Sequence, residues 1–481
     1  MKKISILHIS DLHKRPGTDY DTLFESLLND RVSLQSEGIR VPDYIAVCGD
    51  LIQGAERREE IDAQYSEVRH FLELLTTHYL DGHKERMLIV PGNHDINRAA
   101  SIQSMTPQPE ADYAINLKDF RLGDPLLRWN WQDHSFYRIT RPDVYLSRLD
   151  AFIQFYNDFY NGLRAYPKAA FSGVDCITFP KDKIAFTLFN SCNGLDHLNP
   201  AGDIDERAIA SVSHQLRSNY NDGLLNIALW HHHLYGGPMQ MNYLSRTRIQ
   251  TMANSFIRLG LFGHQHHAQV AEFADGNLTF ADPSHPDRIL LASSGTLFGG
   301  DKQLPTGCRR QYNVIELTIN NGYADVKINV REDDNLNIGS HLPHWTIHRL
   351  NQEGYILTTV GFKKLNPDEE YARLMRYVNT TGDYIYGYEE AANLLISESE
   401  RQQLRHRYFS QIKDNRYILT HLHPQTANEY IRYISCALAE DDRKVLRQLS
   451  ADQLLRPLLG DAVLAEMMTE VAERLQNPDL I

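Results

Sequence analysis

Five short polar clusters, each directly after an apolar run, hold the residues of this chain that could do chemistry together. They are Asp11-Leu12-His13, Gly49-Asp50, Gly92-Asn93-His94-Asp95, His231-His232-His233 and Gly263-His264-Gln265-His266. Carboxylate and amide oxygens mixed with imidazole nitrogens form a donor set for Mn, Fe, Zn or Co, not for a thiolate site or an all-oxygen calcium site. Residues i and i+2 of an extended segment point the same way. Asp11 with His13, and His264 with His266, can therefore each reach one ion together. Two ions need a carboxylate between them, and Asp50, alone after its glycine, is the natural bridge. A lone Asp-x-His or Gly-Asp is common by chance, and a three-histidine run could lie on a surface. The ordered set, always at the end of an apolar run, is what chance does not readily produce.

Such clusters converge only if the fold brings strand ends together, as layered α/β folds do. The runs 4–10, 43–49 and 87–92 read as strands, and 21–34 and 59–80 show helical spacing between them. Further strand signals lie at 184–190, 225–230, 259–263, 289–293, 313–319 and 325–330, enough for two sheets packed as a sandwich with helices outside. The segment from Asn97 to about 170 is a long insertion, and its Leu149, Phe152, Ile153, Tyr156, Phe159 and Tyr160 have helical spacing. An aromatic stripe of this kind reads as packing before it reads as a base-stacking platform. From about Asn366 helical patterns take over, with amphipathic stretches over 430–438 and 463–475. A boundary is expected at 350–365, giving a domain over 1–350 and a helical one over 366–481.

Composition restricts the classes open to the chain. Hydrophobic residues make up 42% and charged residues 23%, as in ordinary globular proteins. No apolar run approaches a membrane span, and the run Ile4-Ser5-Ile6-Leu7 is too short for a signal peptide. Five scattered cysteines without a C-x-x-C pair fit reduced thiols, so a cytoplasmic protein is expected. A net charge of −13 counts against a protein that coats long duplexes, without excluding a local basic groove.

The ordered motif series over roughly 1–335 resembles the calcineurin-like metallophosphoesterase superfamily, most of all its bacterial nucleotide phosphodiesterases and repair-type nucleases. The resemblance implies a four-layered α/β/β/α sandwich and two divalent metal ions, with Mn the first choice. Asp11, His13 and His266 would hold one ion, Asn93, His231 and His264 the other, and Asp50 would bridge. His94 would be the acid beside them, with Asp95 orienting it. Family members often carry His-His-Pro where this chain has His231-His232-His233, so His232 is the alternative ligand. Two divalent charges less two carboxylates leave a positive site for a phosphate ester. A phosphodiester of a nucleotide or nucleic acid is the favoured substrate, and a phosphomonoesterase or protein phosphatase is the alternative.

Other residues carry weaker signals. Arg98, just past Asp95, and Arg309-Arg310, between strand signals, are candidate phosphate contacts, with surface solvation as the plainer reading. His8 reads as a packed histidine, and His83, His197, His214 and His267 have no partner spacing that singles them out. The helical region after 366 holds no catalytic cluster. It could bind a protein partner or a second copy, by analogy of fold with helical bundles attached to bacterial antiviral nucleases.

Overall fold

The computed structural model describes residues 1–13, 20–167, 171–234, 242–273, 288–298, 304–334, 343–348, 354–424, 426–451, 455 and 459–475. They form two compact units, Met1–Lys364 and Leu365–Ile481.

In the first unit, the N-terminal apolar runs become β1 (Lys2–Ile9), β2 (Tyr44–Cys48) and β3 (Met87–Val90), parallel neighbours in one sheet. A small sheet in the insertion contains β4 (Met105–Pro107), β5 (Leu127–Asn130) and β6 (Ser135–Ile139), in the order β4-β6-β5. The second large sheet takes β7 (Val174–Phe179), β8 (Ile184–Phe189), β9 (Leu225–Leu229), β10 (Ile257–Phe262), β11 (Gln269–Phe273) and β12 (Ile289–Ser293). Its order is β11-β12-β10-β9-β8-β7, and β8, β9, β10 and β12 run parallel. The strands β13 (Gln311–Ile319), β14 (Tyr323–Asp333), β15 (Trp345–Ile347) and β16 (Tyr355–Gly361) return to the first sheet, where β13 pairs with β1.

Side-chain alternation along the strands sorts the apolar residues into layers. Ile4, Ile6, Tyr44, Ala46 and Cys48 of the first sheet share one core with Leu225, Ile227, Leu229, Leu259 and Leu261 of the second. The intervening Leu7, Ile9, Ile45 and Val47 point the other way, onto helices α1 (Tyr20–Ser36) and α2 (Arg58–Tyr79). On α2 the residues Ile61, Tyr65, Val68, Leu72 and Leu75 form the buried stripe that answers them. On the far side, Ala228, Trp230, Phe262 and Leu291 pack on α3 (Glu206–Asn221) and α4 (Arg246–Asn254). The result is the expected α/β/β/α sandwich, with its central strands buried on both faces.

The aromatic stripe of the insertion lies on the helix Asp150–Tyr160, whose Phe152, Phe155, Tyr156, Phe159 and Tyr160 are all buried in the core that contains α2. The Tyr160 hydroxyl donates to the Met87 carbonyl at 2.6 Å, so even its polar end is spent on β3. Strand β16 pairs along β14 from Tyr355 to Gly361, which carries the first unit past residue 350. In the second unit the helices begin at sequence-encoded caps. Asn366 with Glu369, Ser397 with Glu400 and Thr426 with Glu429 each form a capping box. Leu374, Val378, Tyr408, Ile418, Ile434 and Val471 are among the residues of its separate core. Among the described residues no helix is long and apolar enough to cross a membrane.

Candidate metal centre

Because β1, β2 and β3 run parallel, as do β9 and β10, the loops that leave their C-terminal ends lie at one edge of the sandwich. Those loops carry the five polar clusters. The backbone there is unusual: Asp11 (φ 56°), His13 (φ 44°), Asp50 (φ 52°), His264 (φ 77°) and His266 (φ 58°) are all left-handed. Non-glycine residues in that region cost on the order of 1–3 kcal/mol each and persist only where their surroundings enforce them. Here the enforcement is backbone bonding between loops, Asp11 N–H to the Gly49 carbonyl and His13 N–H to the Asp50 carbonyl, each at 3.0 Å. Gly49, at φ 84°, must be glycine twice over, since a Cβ would also stand 2.7 Å from Gly92 N and 2.8 Å from His231 Nδ1. A Cβ on Gly92 would stand 2.2 Å from Asp50 N.

The donor atoms gather in two groups. In one, His13 Nε2 and His266 Nε2 are 3.0 Å apart, with Asp11 Oδ1 3.2 Å from His266 Nε2 and 3.7 Å from His13 Nε2. In the other, Asn93 Oδ1 is 2.9 Å from His231 Nε2 and 2.9 Å from His264 Nδ1, which are themselves 3.2 Å apart. Asp50 Oδ2 faces both groups, 3.8 Å from His13 Nε2 and 3.4 Å from His231 Nε2.

These residues fit cations. His231 Nδ1 is 2.7 Å from the Cys48 carbonyl, which can only accept, so Nδ1 carries a proton and Nε2 is the nitrogen left to meet a cation. Nε2 faces the acceptor Asn93 Oδ1 at 2.9 Å, so that spot takes a cation, whether a proton or a metal ion. Asp11 Oδ1 is buried, and among the described residues the groups nearest it are the His266 and His13 Nε2 atoms of the same cluster. Burial opposes a charge on His231, yet Asp50 and Asp11 together raise its pKa to about 9, so the carboxylates draw positive charge into the pocket. Burial likewise opposes the Asp50 carboxylate, but His231, His94 and His13 hold it well below its usual range. His264 is pushed down to about 3 by burial and by His231, as suits a neutral ligand.

Of the adjoining histidines, His231 turns its free nitrogen to Asn93, whereas His232 turns Nδ1 to Ser191 Oγ at 2.9 Å. The His232 ring lies against Gly202, where a Cβ would come within 2.4 Å of it. His233 is buried edge-on to Phe262, with ring centroids 5.1 Å apart.

His94 stands beside these donor atoms, its ring 4.7 Å from that of His13. Its backbone N–H donates to Asp50 Oδ1 at 2.7 Å and its Nδ1 is 2.8 Å from the Gln53 carbonyl, which leaves Nε2 for chemistry. Contrary to expectation, Asp95 does not orient His94. The buried Asp95 carboxylate instead accepts from the Tyr65 hydroxyl at 2.9 Å, Gly92 N at 2.8 Å and Leu51 N at 3.3 Å. It ties the two loops together, and burial with the nearby Asp50 charge raises its pKa to about 7. Tyr65→Phe removes one of those bonds and leaves a buried oxygen short of a partner, so unfolding free energy should fall by about 1–3 kcal/mol in a denaturant titration. An unchanged midpoint would show that the loops hold without it.

Arg309 and Arg310, candidate phosphate contacts with surface solvation as the plainer reading, are instead engaged with Asp333. The Arg310 guanidinium is buried on Asp333, with Nε 2.9 Å from Oδ2, and Arg309 reaches the Asp333 carbonyl at 3.4 Å. A buried guanidinium paired in this way serves the fold and not a substrate. Arg98 is exposed and lines a cavity of about 1010 Å³ together with Gln53, Asn93, His94, His197 and His264. Gln53 and His197 carried no signal in the sequence. The Gln53 contribution is a backbone carbonyl, and His197 depends on a partner 96 positions away.

The sequence model of the calcineurin-like phosphoesterase family matches residues 4–268, more than half of the 481-residue chain. No protein of curated function matches. Among solved structures the chain is similar to a dimetal phosphatase from Danio rerio at 11% identity and a TM-score of 0.36, covering 68% of this chain and 96% of that one. It is also similar to the calcineurin-like phosphoesterase YfkN from Bacillus subtilis at 12% identity and a TM-score of 0.26, covering 80% of this chain and 99% of that one. With a family model that spans all five polar clusters and donor groups that suit divalent ions, this chain belongs to the calcineurin-like phosphoesterase family and is a metal-dependent phosphoric ester hydrolase.

Proposed function

We propose that the chain is a two-metal phosphodiesterase acting on nucleotide or nucleic-acid phosphodiesters in the cytoplasm. Asp11, His13 and His266 hold one ion in this reading, Asn93, His231 and His264 the second, and Asp50 is shared. What chiefly supports a diester is the cavity of about 1010 Å³ beside His94, Asn93 and His264. That volume stands at the upper end for small-molecule sites, and a bare phosphate would leave most of it empty. The five free cysteines accord with a reducing compartment.

Manganese is the ion we favour, because the donor set mixes hard oxygens with imidazole. When bound, divalent ions neutralise charge on the phosphoryl oxygens and activate water as the nucleophile. The protein's own share is positional. The left-handed loops aim the donors inward, and the Gln53 carbonyl accepts from Nδ1 and fixes the His94 ring, so that the doubly protonated ring would hand its Nε2 proton to the departing oxygen.

The test is a substrate panel with added Mn: an aryl phosphodiester, an aryl phosphomonoester, cyclic nucleotides, and labelled single- and double-stranded DNA and RNA. Diester or nucleic-acid cleavage at least about tenfold above monoester cleavage in kcat/KM is expected, a margin of about 1.4 kcal/mol in transition-state binding. The opposite ranking would make the chain a monoesterase.

A further inference from the structure

Part of the cavity wall serves neither ion. It comprises the short helix Arg98–Gln103 and the loop that follows β8, including Leu195, Asp196 and His197. Ser101 joins the two: its hydroxyl oxygen accepts from the His197 backbone N–H at 3.1 Å and lies 2.6 Å from His197 Nδ1. Ser101 is buried, and Nδ1 is the one acceptor recorded for its proton among the described residues. The ring proton of His197 is therefore on Nε2, which makes that edge of the half-buried ring a hydrogen-bond donor. Burial, helped by the Arg98 charge and opposed by Asp196, lowers the His197 pKa and keeps the ring neutral in this tautomer.

The loop that carries His197 is held rigidly. Asp196 Oδ2 takes Arg128 Nε at 2.6 Å and the Tyr145 hydroxyl at 2.9 Å, both from the insertion. Its Oδ1 takes the backbone N–H groups of Leu198 and Asn199, each at 2.9 Å. This carboxylate is thus fully engaged and offset by a guanidinium, so it does not repel an anion in the cavity. Glu56, the other acid of the wall, is exposed to solvent. Arg98, by contrast, makes no hydrogen bond or ion pair among the described residues. Arg98, with an unpaired guanidinium, and His197, with its ring proton on Nε2, thus both line one cavity, next to the residues assigned to phosphoester cleavage.

We propose that Arg98 and His197 form a second anion subsite, which takes a further phosphate carried by a nucleotide substrate. The proposal rests on the phosphodiesterase reading for its substrate class but makes a claim of its own: the enzyme distinguishes substrates by a second negative charge. The insertion acts here through Asp196, which positions the loop without touching substrate.

Titration calorimetry on the full Mn-loaded chain tests it, with adenosine 3′,5′-bisphosphate and adenosine 5′-monophosphate as probes. The monophosphate accounts for whatever affinity the ions give to one phosphate. The wild-type protein should bind the bisphosphate about tenfold more tightly, the size of one charge-assisted hydrogen bond. In Arg98→Ala and in His197→Ala that ratio should approach unity. His197→Gln should keep much of it, because an amide N–H can stand where Nε2–H stood. A ratio of one in the wild type, or a ratio that neither alanine variant changes, overturns the subsite. Hydrolysis of a dinucleotide on the same preparations reports separately. Turnover with a flat ratio removes only the subsite, and a clear ratio without turnover removes only the phosphodiesterase reading.

Discussion

Asp50→Asn should leave a folded protein that no longer retains two divalent ions and whose phosphoesterase turnover falls by at least about a thousandfold. The substitution is nearly isosteric. Asparagine tolerates the left-handed backbone at this position better than most residues. Its amide oxygen can still accept the His94 N–H now held at 2.7 Å by Oδ1. What changes is Oδ2, which becomes an NH₂ group facing His13 Nε2 and His231 Nε2. Those nitrogens would then receive hydrogen bonds instead of sharing a carboxylate with an ion. The buried negative charge that His231, His94 and His13 stabilise also disappears, so the metal-free variant should melt lower than the metal-free wild type while remaining folded. Metal analysis after dialysis, a melting curve and a turnover assay together check the result. Two ions per chain with normal turnover in Asp50→Asn would remove Asp50 from the bridging role.

His94→Ala should do the reverse, keeping the ions while lowering kcat by about a hundred- to ten-thousandfold on substrates with poor leaving groups. The ring is held by a backbone carbonyl and lies beside the ligand groups rather than within either of them. Truncation leaves the backbone N–H on Asp50 untouched. A proton donor matters most when the departing oxygen is a poor leaving group. The loss should therefore be large for a nucleoside leaving group and smaller for 4-nitrophenolate, which departs without a proton. An equal loss on both would assign His94 to charge stabilisation. Loss of an ion would make it a ligand, since one of its ring nitrogens lies within 4.8 Å of donors on His13 and Asp50.

The sandwich was legible because its central strands are buried on both faces. They read as unbroken apolar runs, as in Tyr44–Cys48 and Met87–Val90. The points where those runs stop are the points where the site begins, so Asp11, Asp50, Asn93 and His264 announced themselves together. The strands of the insertion did not. Leu127–Asn130 and Ser135–Ile139 are short, mixed in polarity and, among the described residues, paired only with each other and with Met105–Pro107. Strand Tyr355–Gly361 lies at an edge and is largely only half-buried, so its pattern is weak.

Within the site, adjacency in sequence misled where geometry separates neighbours. Asp95 follows His94 directly, yet its carboxylate serves Tyr65 and two backbone N–H groups. Arg310 looked free because its partner Asp333 stands 23 positions away. The choice between His231 and His232 depends on which ring the Cys48 carbonyl turns inward, and a sequence does not record that bond.

The donors come from both sheets, and partners such as His13 and His266 are separated by 253 positions in the chain. Bringing such distant donors together carries a loop-closure cost that the rest of the sandwich must meet, which makes their contacts candidates to form after the folding transition state. An interaction absent from the folding transition state leaves the folding rate nearly unchanged and acts on the unfolding rate instead. A metal-filled centre should thus also work as a clasp across the two sheets: adding the ion is expected to slow unfolding and to leave the folding rate nearly unchanged in stopped-flow measurements.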